Sequence, residues 1–179
     1  MKQDNPIAPK SILFVCLGNI CRSPIAEGLF RHIARQTGVV DRFVIDSAGL
    51  GSWHVGNPPD ERAQSALLAR GVHISDLRAR QVTLADFDEF DIILAMDRTN
   101  SQGLLKLAPK DKQNKVHLMM EFAPNLGVRE IPDPYFGGKE GFDYVCQLVD
   151  AAARGLLHNL MSKPSSATLS GRPVVPAKG

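Results

Sequence analysis

The apolar positions of this chain fall into short unbroken runs and longer spans of helical spacing. In Ser11 to Cys16, no polar residue interrupts Ile12-Leu13-Phe14-Val15. A run without alternation predicts a strand covered on both faces of its sheet. Ile25, Ala26, Leu29, Phe30 and Ile33 then recur at helical spacing. This predicts a helix with Ser23 as N-cap, Pro24 as its first residue and a stop before Gly38. Phe43-Val44-Ile45 predicts a second strand, and Ser47 to Trp53 a glycine-rich loop. Asn57-Pro58-Pro59-Asp60 opens a second helix, carrying Ala63, Ala66 and Leu67 and ending at Gly71. Phe90 to Ala95 predicts a third strand, Asp97 to Leu107 a helix closed by Pro109, and Val116 to Met119 a short fourth strand. Glu130 to Lys139 is a loop rich in Pro and Gly. Phe142, Val145, Cys146, Val149, Ala152, Ala153, Leu156, Leu157 and Leu160 mark one face of a long amphipathic helix.

Strands alternating with helices predict an α/β fold: a central parallel sheet of four strands with helices on both faces, a three-layer sandwich. Residues 10–162 are expected to form one domain. The polar segment 1–9 and the Ser-, Pro- and Ala-rich segment 163–179 are expected to be flexible tails. With 179 residues, 44% of them hydrophobic and 22% charged, the chain is long enough for a sizeable core. A net charge of +2 gives no basis for a nucleic-acid or membrane-surface partner. No apolar run reaches membrane-spanning length, and the first residues lack the apolar core of a signal peptide. Three cysteines make no disulfide framework, so a reducing cytoplasm is the expected compartment.

The segment that carries chemistry is Cys16-Leu17-Gly18-Asn19-Ile20-Cys21-Arg22-Ser23, between the first strand and the first helix. A lone cysteine at a strand end is usually a small buried hydrophobe. Here five residues separate it from Arg22. A loop of that length can aim several backbone N–H groups at one tetrahedral oxyanion, and the helix N-terminus adds its unpaired donors. Arg22 offers a planar, bidentate fork. Cys16 would lie at the bottom of a positive cup where a thiolate is favoured, with the Ser23 hydroxyl within reach of its sulfur. Ligands of parallel sheets bind beyond the carboxyl ends of the strands, where this loop falls.

A thiolate that attacks phosphorus expels an oxygen that wants a proton. The candidate donor is Asp133, in Ile131-Pro132-Asp133-Pro134-Tyr135-Phe136, where the two prolines stiffen the backbone. From residue types alone, a solvated turn aspartate is an equal reading.

The loop Cys16 to Pro24, with Asp133-Pro134-Tyr135 far downstream, resembles the low-molecular-weight protein tyrosine phosphatase family. Further matching segments are Asp46-Ser47-Ala48-Gly49, Gly56-Asn57-Pro58-Pro59-Asp60, Ala79-Arg80-Gln81 and Met96-Asp97. The likeness spans about residues 10–161. It implies a phosphomonoesterase acting on protein phosphotyrosine in two steps, without metal or cofactor. Cys16 is the implied nucleophile, Arg22 and the loop amides the phosphate ligands, and Asp133 the general acid and then base. It further implies that Asn19 shapes the loop, with Ser47 hydrogen-bonded to it. Leu17, Gly18, Ile20, Cys21, Ser23, Trp53 and Tyr135 are implied to contact substrate. Cys21 is implied to form a reversible disulfide with Cys16, with simple packing against the strand an equal reading. Cys146, on the apolar stripe of the last helix, reads as core. Implied partners are phosphotyrosine-bearing proteins, a tyrosine kinase among them, and inorganic phosphate or other oxyanions in the loop, for a monomeric enzyme.

The chain departs from the family pattern at two places. Leu77 stands where relatives often carry a histidine that joins the asparagine–serine network, and Phe136 stands where some carry a second tyrosine. Arsenate reductase, which shares the fold and the loop cysteine, needs further thiols near residues 80–95. This chain has none between Cys21 and Cys146. A non-catalytic phosphate-binding module would be expected to lack Cys16 or Asp133. The five histidines (His32, His54, His73, His117, His158) show no metal-ligand spacing and read as surface or core. Arg62 and Arg70 read as the wet side of the second helix, and Arg78 and Arg80 as a solvated face.

Overall fold

The computed structural model describes residues 10–162, so the two expected tails lie outside the described residues. Four strands form one parallel sheet in the order β2-β1-β3-β4: β1 is Lys10–Cys16, β2 Phe43–Gly49, β3 Ile92–Ala95 and β4 Val116–Leu118. Five α-helices accompany them: α1 (Arg22–Gln36), α2 (Glu61–Leu68), α3 (Asp86–Glu89), α4 (Arg98–Leu107) and α5 (Lys139–Ser162). This is the α/β sandwich expected from the apolar pattern.

β1 is central because both its faces are apolar. Ile12, Phe14 and Cys16 point into a core shared with α1, α2 and α5. Leu13 and Val15 point into a second core with Phe87, Phe90 and Leu104. β3 divides the same way, with Ile92 and Leu94 on one side and Ile93 and Ala95 on the other. The unbroken apolar run is thus two period-2 patterns on opposite faces. α5 carries its stripe, Cys146 included, buried along one side of the first core, with Leu160 at its end partly buried.

Some elements differ from expectation, and β3 starts at Ile92 rather than Phe90. β2 runs on through Ser47 to Gly49, taking in the start of the expected loop, because each of its residues pairs with β1. α1 begins at Arg22 rather than Pro24, with Cys21 as N-cap and no side-chain cap, so Ser23 lies inside the first turn and its hydroxyl is free for other work. The single turn α3 lacks the length for a periodic signal. Elsewhere local chemistry agrees: Asp60 and Asp97 cap α2 and α4 through side-chain bonds to the N–H groups of Arg62 and Asn100.

The crossover from β1 leads to β2 on one side, and the next leads from β2 past β1 to β3 on the other. The resulting crevice lies beyond the carboxyl ends of β1 and β3, which brings Cys16 and the residues after Met96 together.

Candidate active site

The chain leaves β1 at Cys16 and turns back into α1 at Arg22. Three carbonyls of this loop are drawn outward: Cys16 O accepts from Leu50 N at 3.0 Å, Leu17 O from Gly51 N at 2.9 Å, and Ile20 O from Asp60 N at 2.8 Å. In a trans peptide the next N–H points the opposite way, so the amides of Leu17, Gly18 and Cys21 face the concave side. The Asn19 N–H lies 3.3 Å from Cys16 Sγ. Asn19 has φ of 57°, the left-handed region, which Asn tolerates better than most residues. Behind the loop, β2 approaches so closely that a Cβ on Gly49 would lie 3.0 Å from Leu17 O and 3.1 Å from Asn19 N. A side chain there would push the loop backbone back by a few tenths of an ångström.

The Asn19 side chain ties the loop to three segments. Its Nδ2 donates to Ser23 Oγ at 2.8 Å and to Ser47 Oγ at 3.0 Å, and its Oδ1 accepts from Arg80 N at 3.0 Å. Ser23 Oγ lies 3.0 Å from Cys16 Sγ. Ser47 donates to buried Glu27 Oε1 at 2.8 Å, and Arg31 donates to the other Glu27 oxygen at 2.9 Å. Burial holds the Glu27 carboxyl above the usual carboxylate range, opposed by the Ser47 and Arg31 bonds. Leu77 packs against the first core, and the network closes through Glu27, Arg31 and the Arg80 backbone. Arg80 is not on a solvated face: its guanidinium bridges Asp46 and Asp86 at 3.0 Å each.

Arg22 is almost wholly buried, with 3% of its side chain exposed. Its Nη1 donates to Asp97 Oδ2 at 2.6 Å and to Ile131 O at 2.9 Å, and its Nη2 lies 3.7 Å from Asp133 Oδ2. Asp97 and Asp133 therefore meet the loop through one guanidinium. The Asp133 segment is tethered where Ile131 N donates to Met96 O at 2.8 Å, and Tyr135 N donates to Asp133 Oδ1 at 3.1 Å.

Cys16, Leu17, Gly18, Ile20, Cys21, Arg22, Trp53, His54, Asp133, Tyr135 and Phe136 line one cavity of about 250 Å3. Buried Cys16 and Arg22 lie among its lining, while Trp53 (70% exposed) and Phe136 (96%) stand out to solvent. Burial, reinforced by Asp60, Cys16 and Asp133, pushes the Cys21 thiol far above the ordinary thiol range, and all three cysteines are free. A cavity lined by a buried thiol, a buried guanidinium and an apolar rim suits a phosphate on an aryl group.

The structure thus gathers every candidate from the sequence: Cys16 to Ser23, Trp53, Asp133 and Tyr135 at the cavity or directly behind it, and Ser47 in the supporting network. Other residues carry contacts that the sequence reading did not give them. His54, read as surface or core, is half-buried and lines the cavity, with its ring 6.4 Å from that of Tyr135. Arg62 stays partly exposed on the wet side of α2 and also lies over Tyr135 and Phe142. Asp97 was visible as a matching segment without a role; its pairing with Arg22 spans 75 residues of sequence and has no local signal. Among the described residues, no group of three or more His, Cys, Asp or Glu is gathered as a metal site needs.

Comparison with known proteins agrees with this geometry. The family model for low molecular weight phosphotyrosine protein phosphatase matches residues 11–166. The low molecular weight protein-tyrosine-phosphatase YfkJ of Bacillus subtilis is 40% identical over 153 residues, 86% of this chain and 97% of the relative. Its crystal structure superposes with a TM-score of 0.83 at 38% identity, over 87% of this chain and 97% of the other. The low molecular weight phosphotyrosine protein phosphatase of Schizosaccharomyces pombe is 46% identical over 141 residues, 78% of this chain and 90% of the relative. A protein tyrosine phosphatase of Entamoeba histolytica, solved with Hepes in the active site, has a TM-score of 0.82 at 37% identity, over 85% of this chain and 97% of its own.

Proposed function

Since this chain belongs to the low molecular weight phosphotyrosine protein phosphatase family and is a protein-tyrosine-phosphatase, we propose that it hydrolyses protein phosphotyrosine through a phosphocysteine on Cys16. The observation that carries this reading is the convergence of Cys16, Arg22 and Asp133 on one cavity from segments over 100 residues apart.

A phosphate dianion enters the cup and takes the Arg22 guanidinium and the inward amides as ligands for its oxygens. A sulfur lone pair of Cys16 forms the S–P bond as the P–O bond to the tyrosine breaks. The electrons of that bond go to the phenolic oxygen, which takes the proton of Asp133 and leaves as tyrosine. Water then attacks phosphorus, its proton passes to Asp133, and the S–P electrons return to Cys16. Inorganic phosphate is released. The Ser23 hydroxyl, 3.0 Å from Sγ, stabilises the departing sulfur. Asn19 and Ser47 hold the loop in shape, and Leu17, Ile20, Trp53 and Tyr135 flank the aryl ring.

Arg22 and the amides supply the charge stabilisation, so turnover requires no metal. Cys21 forms a disulfide with Cys16 under oxidation and spares it from higher oxidation states. The enzyme works as a monomer on phosphotyrosine-bearing proteins, in a reducing cytoplasm that keeps Cys16 usable. Among the described residues, no helix is long and apolar enough to cross a membrane.

The test is hydrolysis of para-nitrophenyl phosphate with a chelator present. Cys16→Ser abolishes turnover and Asp133→Ala slows it by about 10²–10⁴-fold, the usual worth of a general acid. Full activity in Cys16→Ser refutes the reading.

A further inference from the structure

The acid-bearing segment 133–137 is exposed at its tip, where Phe136 is almost entirely in solvent, yet Asp133 must meet a leaving oxygen within hydrogen-bond reach. One end of the segment is held by Arg22, which donates to Ile131 O at 2.9 Å. The other end is held by a second arginine. Arg62, in the first turn of α2, donates from Nη1 to Gly137 O at 3.1 Å. Gly137 N in turn donates to Pro134 O at 3.0 Å, closing the turn behind Asp133.

The Arg62 guanidinium makes further contacts. Asp60 takes its fork, Nε to Oδ1 at 3.0 Å and Nη2 to Oδ2 at 2.9 Å. The guanidinium carbon lies 4.6 Å from the Phe142 ring centroid and 5.6 Å from that of Tyr135. Both distances are within cation–π range. The Arg62 bonds hold the Asp60 carboxyl below the usual carboxylate range. Asp60 N donates to Ile20 O at 2.8 Å, so the same pair is bonded to the catalytic loop. A continuous path therefore runs from Ile20 through Asp60 and Arg62 to Gly137 and Tyr135. It sets the distance between the nucleophile loop and the acid segment.

We propose that Arg62, braced by Asp60, is a positioning residue that fixes the Asp133 carboxyl over the cavity. This inference rests on the reading of Asp133 as general acid. Arg62 acts through Asp133, not on phosphate: as the S–P bond forms and the P–O bond breaks, the proton delivered is still that of Asp133. Lysine could supply the charge, but not the planar fork that grips Asp60 and Gly137 together while stacking on two rings.

The experiment compares kcat/KM for phenyl phosphate, whose leaving group needs a proton, with 2,4-dinitrophenyl phosphate, whose leaving group does not. Arg62→Ala and Arg62→Lys are expected to lose about tenfold on the first, part of the ~10²–10⁴ that a general acid supplies, and under about twofold on the second. Inhibition by inorganic phosphate is expected to stay unchanged, and Arg62→Ala is expected to add no loss in an Asp133→Ala background. Equal losses on both substrates, an additive loss in that background, or no loss at all overturns the inference. If Arg62→Ala fails to fold, Arg62→Lys, which keeps the stem and charge, decides. If Asp133→Ala itself shows no dependence on the leaving group, the general-acid reading falls, and that outcome is distinct from an effect missing only in the Arg62 variants.

Discussion

Asp97→Asn isolates the partner that makes a buried Arg22 tolerable. Asp97 does two things at once: Oδ2 meets Arg22 Nη1 at 2.6 Å, and Oδ1 caps α4 by accepting from Asn100 N at 2.7 Å. An asparagine keeps the capping oxygen and removes the charge. Breaking a fully buried ion pair by deleting one partner costs about 3–5 kcal/mol. Here Arg22 is 3% exposed but Asp97 is 22% exposed, and the Ile131 carbonyl and Asp133 remain beside the guanidinium. The expected loss is therefore lower, about 2 kcal/mol, near the value of a hydrogen bond to a charged group. Asp97→Ala also loses the cap and should cost about 1 kcal/mol more. In a chain of this size 2 kcal/mol is a fall of roughly 4–8 °C in Tm. The assay is urea unfolding of wild type, Asn and Ala variants, with and without saturating inorganic phosphate. Phosphate returns a negative charge to Arg22, so the gap between wild type and Asp97→Asn should narrow when it is bound. An Asn variant as stable as wild type, or as unstable as the Ala variant, refutes the reasoning.

Two further outcomes follow from the same network. Burial raises the Glu27 carboxyl above its ordinary value, so from about pH 4.3 up to its folded value the folded chain holds a proton that the unfolded chain has lost. Stability must then fall as pH rises through that window, and Glu27→Gln should flatten that part of the profile in urea unfolding; an unaltered slope counts against it. Stoichiometric peroxide should oxidise Cys16 to the sulfenic acid, which Cys21 displaces with loss of water to form a disulfide detectable by mass spectrometry. Because the Cys21 thiol is held up by burial and must give up its proton to attack, closure should quicken with rising pH, and sulfinic Cys16 beside free Cys21 would rule the pairing out.

The reading of the sequence reached furthest where chemistry is local. The apolar run of β1 and the stripe of α5 are set by neighbours within a turn or two. The loop Cys16 to Ser23 is local as well, which is why its nucleophile and arginine were visible together. Ser23 shows the limit of that logic. Its position suggested a cap, but α1 begins two residues earlier than expected, so the hydroxyl caps nothing and meets Cys16, the other role its position allowed, together with Asn19. Arg80 was misplaced, and the contacts of Arg62 and His54 went unseen, for a related reason: a polar side chain on a helix or loop has the same sequence signature whether it meets water or another segment.

By itself, then, the sequence determined an alternation of strands and helices, a double-sided core and an oxyanion loop with its thiol, because each is written in residues close together along the chain. Only the tertiary structure decided what surrounds that loop. The parallel order β2-β1-β3-β4 brings Asp97, Ile131 and Asp133 onto Arg22. It also packs Glu27 and Arg31 behind Ser47, where Leu77 contributes only apolar contact. These pairings close loops of many residues. Their partners are chosen by where the packed sheet delivers them, a quantity that no short stretch of sequence contains.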